Sequence, residues 1–450
     1  MKLDALQHAL ERAALPRQEV AEFAAALARR PPRAVRVRPG LARATLPFAS
    51  RPVPWHDRAV LVSPDVRPGG FAQFAAGDYY VQDAGGALAT RLVDASPGEV
   101  ICDLCAAPGG KSTALLESLG ATGWLLANES ISTRLPPLQF NLARHGAIRY
   151  VLSHVDPEPL AAALGPIFDA VLVDAPCSGQ SLVGRGKQTD AAFQPRAIQH
   201  CAARQTRILA AAARLVRPAG RLVYSTCTFS YAENEGMLEQ FLQEHPAWRL
   251  EPHTDLAPYQ SAALPGSYRL WPHRHPTAGG FAARLRNTAS VSPATDGLRN
   301  TRSQRARMMN AIHESQVPAE FNAWGTLADG SVWTLGQRVI GWPDVPPAAL
   351  LRVVSGGPEL AVRPHRNWRP AYGLARRGDA QWTPRETLQL NDSAACDFLH
   401  GAPLRSPQRG WLVATWNKKP LGWLKGDGTW AKNHLPKTAR LTGTLSTGPE

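Results

Sequence analysis

One stretch, Val100 to Thr113 (VICDLCAAPGGKST), constrains the possible fold more than any other part of the chain. Its apolar start predicts a short buried strand, residues 106–110 predict a tight turn, and Lys111 begins a predicted helix. Because glycine has no Cβ, we expect the backbone of this turn to come close to a ligand. A strand, a glycine turn and a helix N-terminus together favour a nucleotide-type pocket at the carboxyl end of a parallel sheet. The alternative is an ordinary strand-to-helix turn.

Strands alternate with helices on both sides of this stretch, which predicts an α/β fold with a parallel, Rossmann-like sheet wound on both faces. The predicted strands are 100–104, 122–127, 150–153, 170–173 and 221–224, and the predicted helices are 84–92, 111–119, 138–145 and 196–215.

Two later apolar runs end in loops that carry a cysteine, 171–179 (VLVDAPCSG) and 222–230 (LVYSTCTFS). Ligands of open α/β sheets bind at the carboxyl ends of the strands, so both cysteines are candidates for chemistry. The alternative is that each thiol is a small buried apolar group, which is the usual role of a free cysteine.

Together, the motifs CAAPGGK, DAPCSG and YSTCT resemble the Sun-type RNA cytosine-5-methyltransferase family, and the C-terminal region is similar to the PUA-like module of its bacterial 16S rRNA branch. The resemblance extends to 77–82 (GDYYVQ), 232–235 (AENE) and 279–285 (GGFAARL). It implies a class I methyltransferase domain that uses S-adenosylmethionine, with a small N-terminal lobe and a mostly β, PUA-like C-terminal domain.

The resemblance implies that Cys227 is the nucleophile and that Cys177 assists release of the enzyme from its product. Cytosine C5 reacts poorly until a thiolate adds to C6, and cysteine suits that addition. Loss of the C5 proton afterwards needs a second acid–base group. Asp174 ends the same predicted strand as Cys177, where it could hydrogen-bond the N3/N4 edge of the base.

For the cofactor, the glycine loop is predicted to wrap the methionine and ribose portions; its residues are Cys105, Ala106, Ala107, Pro108, Gly109, Gly110 and Lys111. Glu129 follows the second strand and is predicted to bind ribose hydroxyls. Asp156 follows the third and could meet the adenine amine. Either could instead be a plain turn carboxylate. Asp174 is predicted to bind the cofactor as well. Arg134 matches an arginine of the family, but the group that it contacts is not assigned.

Composition favours a polyanionic partner: the formal net charge is +14, although a generally basic proteome would also produce it. Cys102 and Cys105 have zinc-site spacing but no second pair, so no metal is expected. The sequence shows neither a signal peptide nor an apolar run long enough to span a membrane. We therefore expect a cytoplasmic monomer with reduced thiols that binds RNA and neither membrane nor DNA.

Four regions are predicted: an N-terminal RNA-binding lobe (1–75), the methyltransferase domain (76–287), a polar linker (288–310) and a PUA-like RNA-binding region (311–450). In the lobe, helical periodicity covers 3–29. A strand at 34–39 places Arg36 and Arg38 on one face, either toward RNA or on a solvated edge strand.

The C-terminal region has nine tryptophans, and residues 410–437 hold five of the chain's eight lysines. Aromatics interleaved with lysines indicate a nucleic-acid surface. The alternative is a basic β-barrel with core tryptophans.

The sequence thus predicts methylation of cytosine C5 in structured RNA, most simply 16S rRNA. The alternatives are a tRNA methyltransferase with the same mechanism, a DNA methyltransferase that attacks through Cys177, and a non-catalytic ribosome-assembly factor. One departure from the family, Gln180-Ser181 after DAPCSG, bears on the substrate more than on the chemistry. In the loop that follows, Arg185 and Lys187 could contact phosphate.

Overall fold

The computed structural model describes residues 10, 12–290, 312–315, 318–327, 332–335, 337–341, 353–379 and 381–441. The start of the predicted N-terminal helix and residues 291–310 of the predicted linker lie outside these ranges. Within them, no helix is long and apolar enough to cross a membrane.

The N-terminal lobe is built on a four-stranded antiparallel sheet in the order β2-β3-β1-β4. Its strands are β1 (Arg33–Val37), β2 (Ser50–Val53), β3 (His56–Val62) and β4 (Tyr79–Val81), with helices α1 (Val20–Leu27) and α2 (Ala72–Ala76). Since β1 lies between β3 and β4, the solvated-edge interpretation of this strand is wrong.

Five parallel strands in the order β7-β6-β5-β8-β9 confirm the predicted α/β fold. They are β5 (Val100–Asp103), β6 (Trp124–Asn128), β7 (Tyr150–Ser153), β8 (Phe168–Asp174) and β9 (Val216–Thr226). The strand order reverses between β5 and β8. A crevice for ligands therefore opens at the carboxyl ends of these two strands.

Helices cover both faces of this sheet: α3 (Ala84–Val93), α4 (Gly110–Leu119) and α5 (Leu135–His145) on one, α6 (Pro157–Leu164), α7 (Pro195–Ala213) and α8 (Glu235–Glu244) on the other. Successive strand residues alternate between the two cores, as pleating requires. Ile101 packs with the first set of helices and Cys102 with the second.

Three antiparallel strands that the sequence did not predict extend the sheet beyond β9: β10 (Trp248–Leu250), β11 (Ser267–Leu270) and β12 (Gly280–Asn287). The GGFAARL stretch that extends the family resemblance lies in β12, apart from its first glycine. It pairs directly with the strand that leads to Cys227.

The C-terminal region is mostly β, as predicted. Its described strands are β13 (Ile312–Ser315), β14 (Gly325–Leu327), β15 (Val332–Leu335), β16 (Arg338–Gly341), β17 (Val353–Gly356), β18 (Glu359–Val362), β19 (Arg369–Pro370), β20 (Trp382–Pro384), β21 (Thr387–Leu390), β22 (Leu404–Arg405), β23 (Arg409–Trp416), β24 (Lys419–Asp427) and β25 (Trp430–Asn433). Two α-helices accompany them among the described residues, α9 (Tyr372–Arg376) and α10 (Asp392–His400). Strand β17 pairs antiparallel with β7 and so joins the central sheet.

Most tryptophans of this region with described side chains form its core, as the β-barrel alternative expected. The buried ones are Trp324, Trp382, Trp416 and Trp423. Trp430 is 43% exposed and lies under the Arg405 guanidinium, and Lys425 stands over the Trp411 ring. The lysine–aromatic surface is therefore narrower than the sequence indicated.

Candidate functional site

The two cysteine loops meet at the carboxyl ends of β8 and β9. These strands are parallel neighbours in which Asp174 lies opposite Ser225. The Cys177 and Cys227 sulfurs are 3.3 Å apart and both thiols are free, so they form a hydrogen-bonded pair. The structure thus brings together the two cysteines that the sequence singled out from separate motifs.

The surroundings of the two thiols differ in charge. The hydrogen bond from Cys177 lowers the pKa of Cys227, aided by the Lys111 ammonium and opposed by burial and by Asp174. The same hydrogen bond raises the pKa of Cys177, and burial and the Glu233 carboxylate add to that rise. Cys227 is therefore the thiol more readily ionised, which suits a nucleophile.

Asp174 is fixed between two donors. Lys111 Nζ donates to one carboxylate oxygen at 2.7 Å and Ser225 Oγ to the other at 2.9 Å. Burial would lower the pKa of Lys111, but the Asp174 carboxylate outweighs it and raises that pKa. The ammonium thus links the helix that follows the glycine loop to the cysteine loops.

A buried polar network that the sequence did not assign supports the Cys177 loop. Glu233 accepts hydrogen bonds from the Ser178 N–H at 2.8 Å, the Ser178 hydroxyl at 2.6 Å and the Gln205 amide at 3.1 Å. Beside it, Glu235 forms a fully buried ion pair with Arg269. Both carboxylates belong to the AENE motif. Two acidic residues so soon after Cys227 were the sequence feature that could have indicated this network.

The two glycines of the glycine loop lie against neighbouring protein atoms. Gly109 has a φ of +106°, and a Cβ there would lie 3.2 Å from Leu138 and 3.3 Å from Asn141, both on α5. A Cβ at Gly110 would lie 3.1 Å from the Tyr80 ring. Both glycines therefore allow close packing of protein on protein. The close approach of this backbone to the cofactor stays a prediction.

Unpartnered carboxylate oxygens mark the cofactor side of the crevice. Asp103, which the sequence did not single out, ends β5. One of its carboxylate oxygens accepts a hydrogen bond from the Ser112 hydroxyl, and the other is buried without a hydrogen bond. Burial raises its pKa to about 7. Glu129, just beyond β6, is 2% exposed; one oxygen accepts the Ile131 N–H and the other, with no hydrogen bond, faces Arg134 at 3.2 Å. These acceptors fit the hydroxyl and ammonium groups of S-adenosylmethionine.

The other predicted cofactor residues are placed as follows. Ala106 and Ala107 are buried, Cys105 and Lys111 are half-buried, and Pro108 is exposed. Asp156 is exposed at the start of α6. Arg134 also donates to the Ala107 carbonyl at 2.6 Å, which ties Glu129 to the glycine loop. Among the described residues no cluster of His, Cys, Asp and Glu could hold a metal ion.

Arg36 does not face RNA. It is 1% exposed, pairs with Glu117 at 3.0 Å, and donates to the Gly110 carbonyl at 2.7 Å and to Thr113 at 2.9 Å. Burial alone would raise the pKa of Glu117, but Arg36 holds it far below its usual range. The predicted RNA-facing arginine is instead a clamp between the lobe and the start of α4.

Known proteins have sequences similar to that of this chain. The family model described as 16S rRNA methyltransferase RsmB/F matches residues 90–286. The ribosomal RNA small subunit methyltransferase F of Salmonella paratyphi B is 30% identical over 419 residues, which cover 88% of this chain and 86% of that protein. This chain belongs to the RsmB/F methyltransferase family.

Other comparisons agree with this assignment. The methyltransferase F of Klebsiella pneumoniae is 29% identical over 88% of this chain and 86% of its own length. A crystal structure of a methyltransferase homologue from Pyrococcus horikoshii is 25% identical with a TM-score of 0.53, covering 64% of this chain and 100% of that one. The recognised family, the Rossmann-like fold and the cofactor S-adenosylmethionine are confirmed.

The RsmF PUA-domain model matches residues 385–441. A PUA domain is therefore confirmed, on a segment narrower than the predicted region 311–450. The four domain boundaries and the roles of the individual site residues stay predictions.

Proposed function

We propose that this RNA methyltransferase transfers a methyl group to C5 of a cytosine in 16S rRNA, through a covalent adduct between Cys227 and C6. The observation that carries this proposal is the 3.3 Å contact between the Cys177 and Cys227 sulfurs, with the Lys111–Asp174 ion pair beside it. The names of the family and of its relatives support 16S rRNA as the substrate.

The first step is the addition of the Cys227 thiolate to C6. The sulfur forms a bond to C6, and the displaced electron pair makes C5 nucleophilic. Asp174 can accept a hydrogen bond from the cytosine amino group, which orients the base. Lys111 holds this carboxylate in place. S-adenosylmethionine, when bound, supplies the methyl group that C5 takes.

Release reverses the addition. The C5 proton must leave, and the electrons of that bond form the C5–C6 double bond while the S–C6 pair returns to Cys227. Once Cys227 is a thioether, its hydrogen-bonded partnership with Cys177 is lost, and with it the main cause that raises the Cys177 pKa. Cys177 is then the adjacent thiol that, after releasing its own proton to solvent, can accept the C5 proton as a thiolate.

A DNA methyltransferase that attacks through its Pro-Cys motif would use Cys177 as the nucleophile. The opposite pKa shifts of the two thiols favour Cys227 instead. We place the reaction in the cytoplasm, on RNA, with the enzyme acting as a monomer.

Bisulfite sequencing of total RNA tests this function. A strain that lacks the gene should lose one or more 5-methylcytosines from 16S rRNA. The intact gene should restore them, and a gene encoding Cys227→Ala should not. Loss of a tRNA site instead would support the tRNA alternative, and an unchanged methylation pattern would contradict the proposal.

A further inference from the structure

A cavity of about 550 Å³ lies between the N-terminal lobe and the loop that follows Cys177. We name it the lobe cavity. Five cationic side chains line it: Arg30, Arg33, Arg67, Arg185 and Lys187. Its size falls in the usual range for small-ligand sites, about 300–1,000 Å³. None of its lining residues belongs to the glycine loop.

Three of these cations are available to a ligand. Arg185 pairs with Asp83, and Arg33 donates to the Pro64 carbonyl at 2.9 Å. Arg30, Arg67 and Lys187 are exposed, and in the described part of the chain none of them forms an ion pair with a carboxylate. Because Arg185 neutralises Asp83, the only acid among the lining residues, the cavity has a net positive charge.

The same cavity has an apolar side. Phe74 is half-buried and lines it, with the Arg144 guanidinium 4.1 Å from the centre of its ring. Val81 is 38% exposed, which makes it, with Trp430, an unusually exposed large apolar side chain among the described residues. Cations combined with an aromatic ring and an apolar wall match the two parts of a nucleotide, its phosphate and its base.

One residue of the cavity wall, Gln82, lies near Lys111. The Gln82 amide nitrogen is buried without a hydrogen-bond partner. A Cβ built on Gly86 would lie 3.4 Å from that nitrogen and 3.6 Å from Lys111 Nζ, so both groups border the same space. A buried donor with no acceptor indicates a missing polar partner.

A smaller cavity of about 260 Å³ shares Arg30, Pro31 and Pro32 with the first. Its wall includes Ser181, whose N–H donates to the Cys227 carbonyl at 3.1 Å. The two cavities therefore adjoin at Arg30, and the second borders the loop that carries the nucleophile.

We propose that the lobe cavity binds a single-stranded nucleotide of the substrate RNA that flanks the target cytosine. Its phosphate would meet Arg30, Arg67 and Lys187, and its base would lie against Phe74 and Val81. This inference rests on the proposed function for its substrate. It adds a binding site that depends on the lobe and on the loop after Gln180-Ser181.

Salt titration of RNA binding tests the site. The probe is a short single-stranded 16S rRNA fragment that contains cytosine, and the variant is Arg67→Gln/Lys187→Gln. The slope of log affinity against log salt should become shallower by up to about 0.7, since both side chains meet the same phosphate and one phosphate contact to a single strand contributes about 0.7. The control, Arg214→Gln/Arg249→Gln, removes two exposed arginines near the opposite, amino-terminal ends of the parallel strands and should keep the wild-type slope.

Val81 supplies a second test that does not depend on lost cations. Val81→Glu should weaken binding of the same fragment by at least about tenfold, because it places a carboxylate against the RNA, whereas the similarly sized Val81→Gln should weaken it far less. Unchanged S-adenosylmethionine binding by calorimetry verifies that each variant is folded.

Two further results separate this proposal from the proposed function. If the folded variants keep the wild-type slope and affinity while the wild type forms 5-methylcytosine, the cavity proposal is overturned and the function stands. If the slope becomes shallower but the wild type forms no 5-methylcytosine, the cavity binds RNA and the proposed reaction is wrong.

Discussion

The glycine loop and the cysteine loops lie at the same edge of one sheet but are held in different ways. Backbone conformation and close packing fix the glycine loop, since Gly109 takes a positive φ against α5. Buried hydrogen bonds fix the cysteine loops, with Glu233 accepting from two groups of Ser178. The thiols take no part in those hydrogen bonds to Glu233. A substitution in the glycine loop is therefore expected to lower the free energy of unfolding, whereas loss of a thiol in the cysteine loops is expected to slow the reaction and leave the fold intact.

The largest effect is expected from Cys227→Ala. Removal of a catalytic nucleophile typically costs about 10⁴-fold or more in turnover. S-adenosylmethionine binding and the free energy of unfolding should stay near the wild-type values, because Glu233 still supports the loop. Methyl incorporation into RNA and calorimetry with the cofactor measure the two properties separately.

Cys201→Ala is the matched control, because this half-buried thiol lies on α7 outside the cysteine pair. It should retain normal turnover. Near-normal turnover of Cys227→Ala would instead make Cys177 the nucleophile.

The next effect in size is expected from Cys177→Ala, which should slow turnover by about 10²–10⁴-fold through loss of an acid–base group. Because addition to C6 precedes release, this variant should accumulate a covalent protein–RNA adduct with cofactor and RNA. The adduct is a thioether, so it should survive a denaturing gel and shrink to a short remnant after ribonuclease digestion.

The double variant Cys177→Ala/Cys227→Ala should form no adduct, since no thiolate remains to attack. An adduct in Cys227→Ala but not in Cys177→Ala would reverse the two roles. If neither variant formed an adduct and both still methylated RNA, the two-cysteine mechanism would fail.

A smaller effect, on stability, is expected from Gly109→Val. A branched side chain at a positive φ and in contact with α5 should lower the free energy of unfolding by roughly 2–4 kcal/mol. Urea denaturation measures this loss. Gly186→Val is the control, because Gly186 also has a positive φ but no atom within 4 Å of the position that a Cβ would take.

Gly186→Val should lower the free energy of unfolding only by the conformational strain of a side chain at a positive φ, and so by less than Gly109→Val. If Gly109→Val kept its unfolding free energy and yet lost cofactor binding, the glycine would leave space for the ligand after all, and the contrast between the two loops would disappear.

The smallest effect concerns pH. The reacting form of Cys227 is the thiolate, and the Cys177 hydrogen bond lowers its pKa. Loss of that bond in Cys177→Ala raises the Cys227 pKa, so less thiolate is present at a given pH. The pH of half-maximal single-turnover adduct formation should therefore lie higher than in Cys201→Ala. An unchanged or lower midpoint would mean that Cys177 does not ease ionisation of the nucleophile.

The sequence predicted the parts of the fold that local patterns specify. Apolar runs at 150–153 and 170–173 marked two of the parallel strands, and the cysteines followed from their position after such runs. It did not predict the role of Arg36, because its partner Glu117 lies far along the chain and pairing at that distance leaves no local pattern. The packing of Gly109 was not predicted for the same reason, because the atoms that a Cβ at this position would contact belong to α5, about thirty residues further along the chain.

Strand β17 covers an edge of the parallel sheet that would otherwise be open to other chains. A strand at the border of a sheet offers unpaired N–H and C=O groups to any neighbouring chain. By pairing with β7 through Val353 and Gly356, this strand occupies the outer side of the parallel sheet. A chain shortened to end at Asn287 would leave that side of β7 bare. The catalytic half expressed alone is therefore expected to aggregate edge to edge, even though its cofactor crevice and both thiols would be intact.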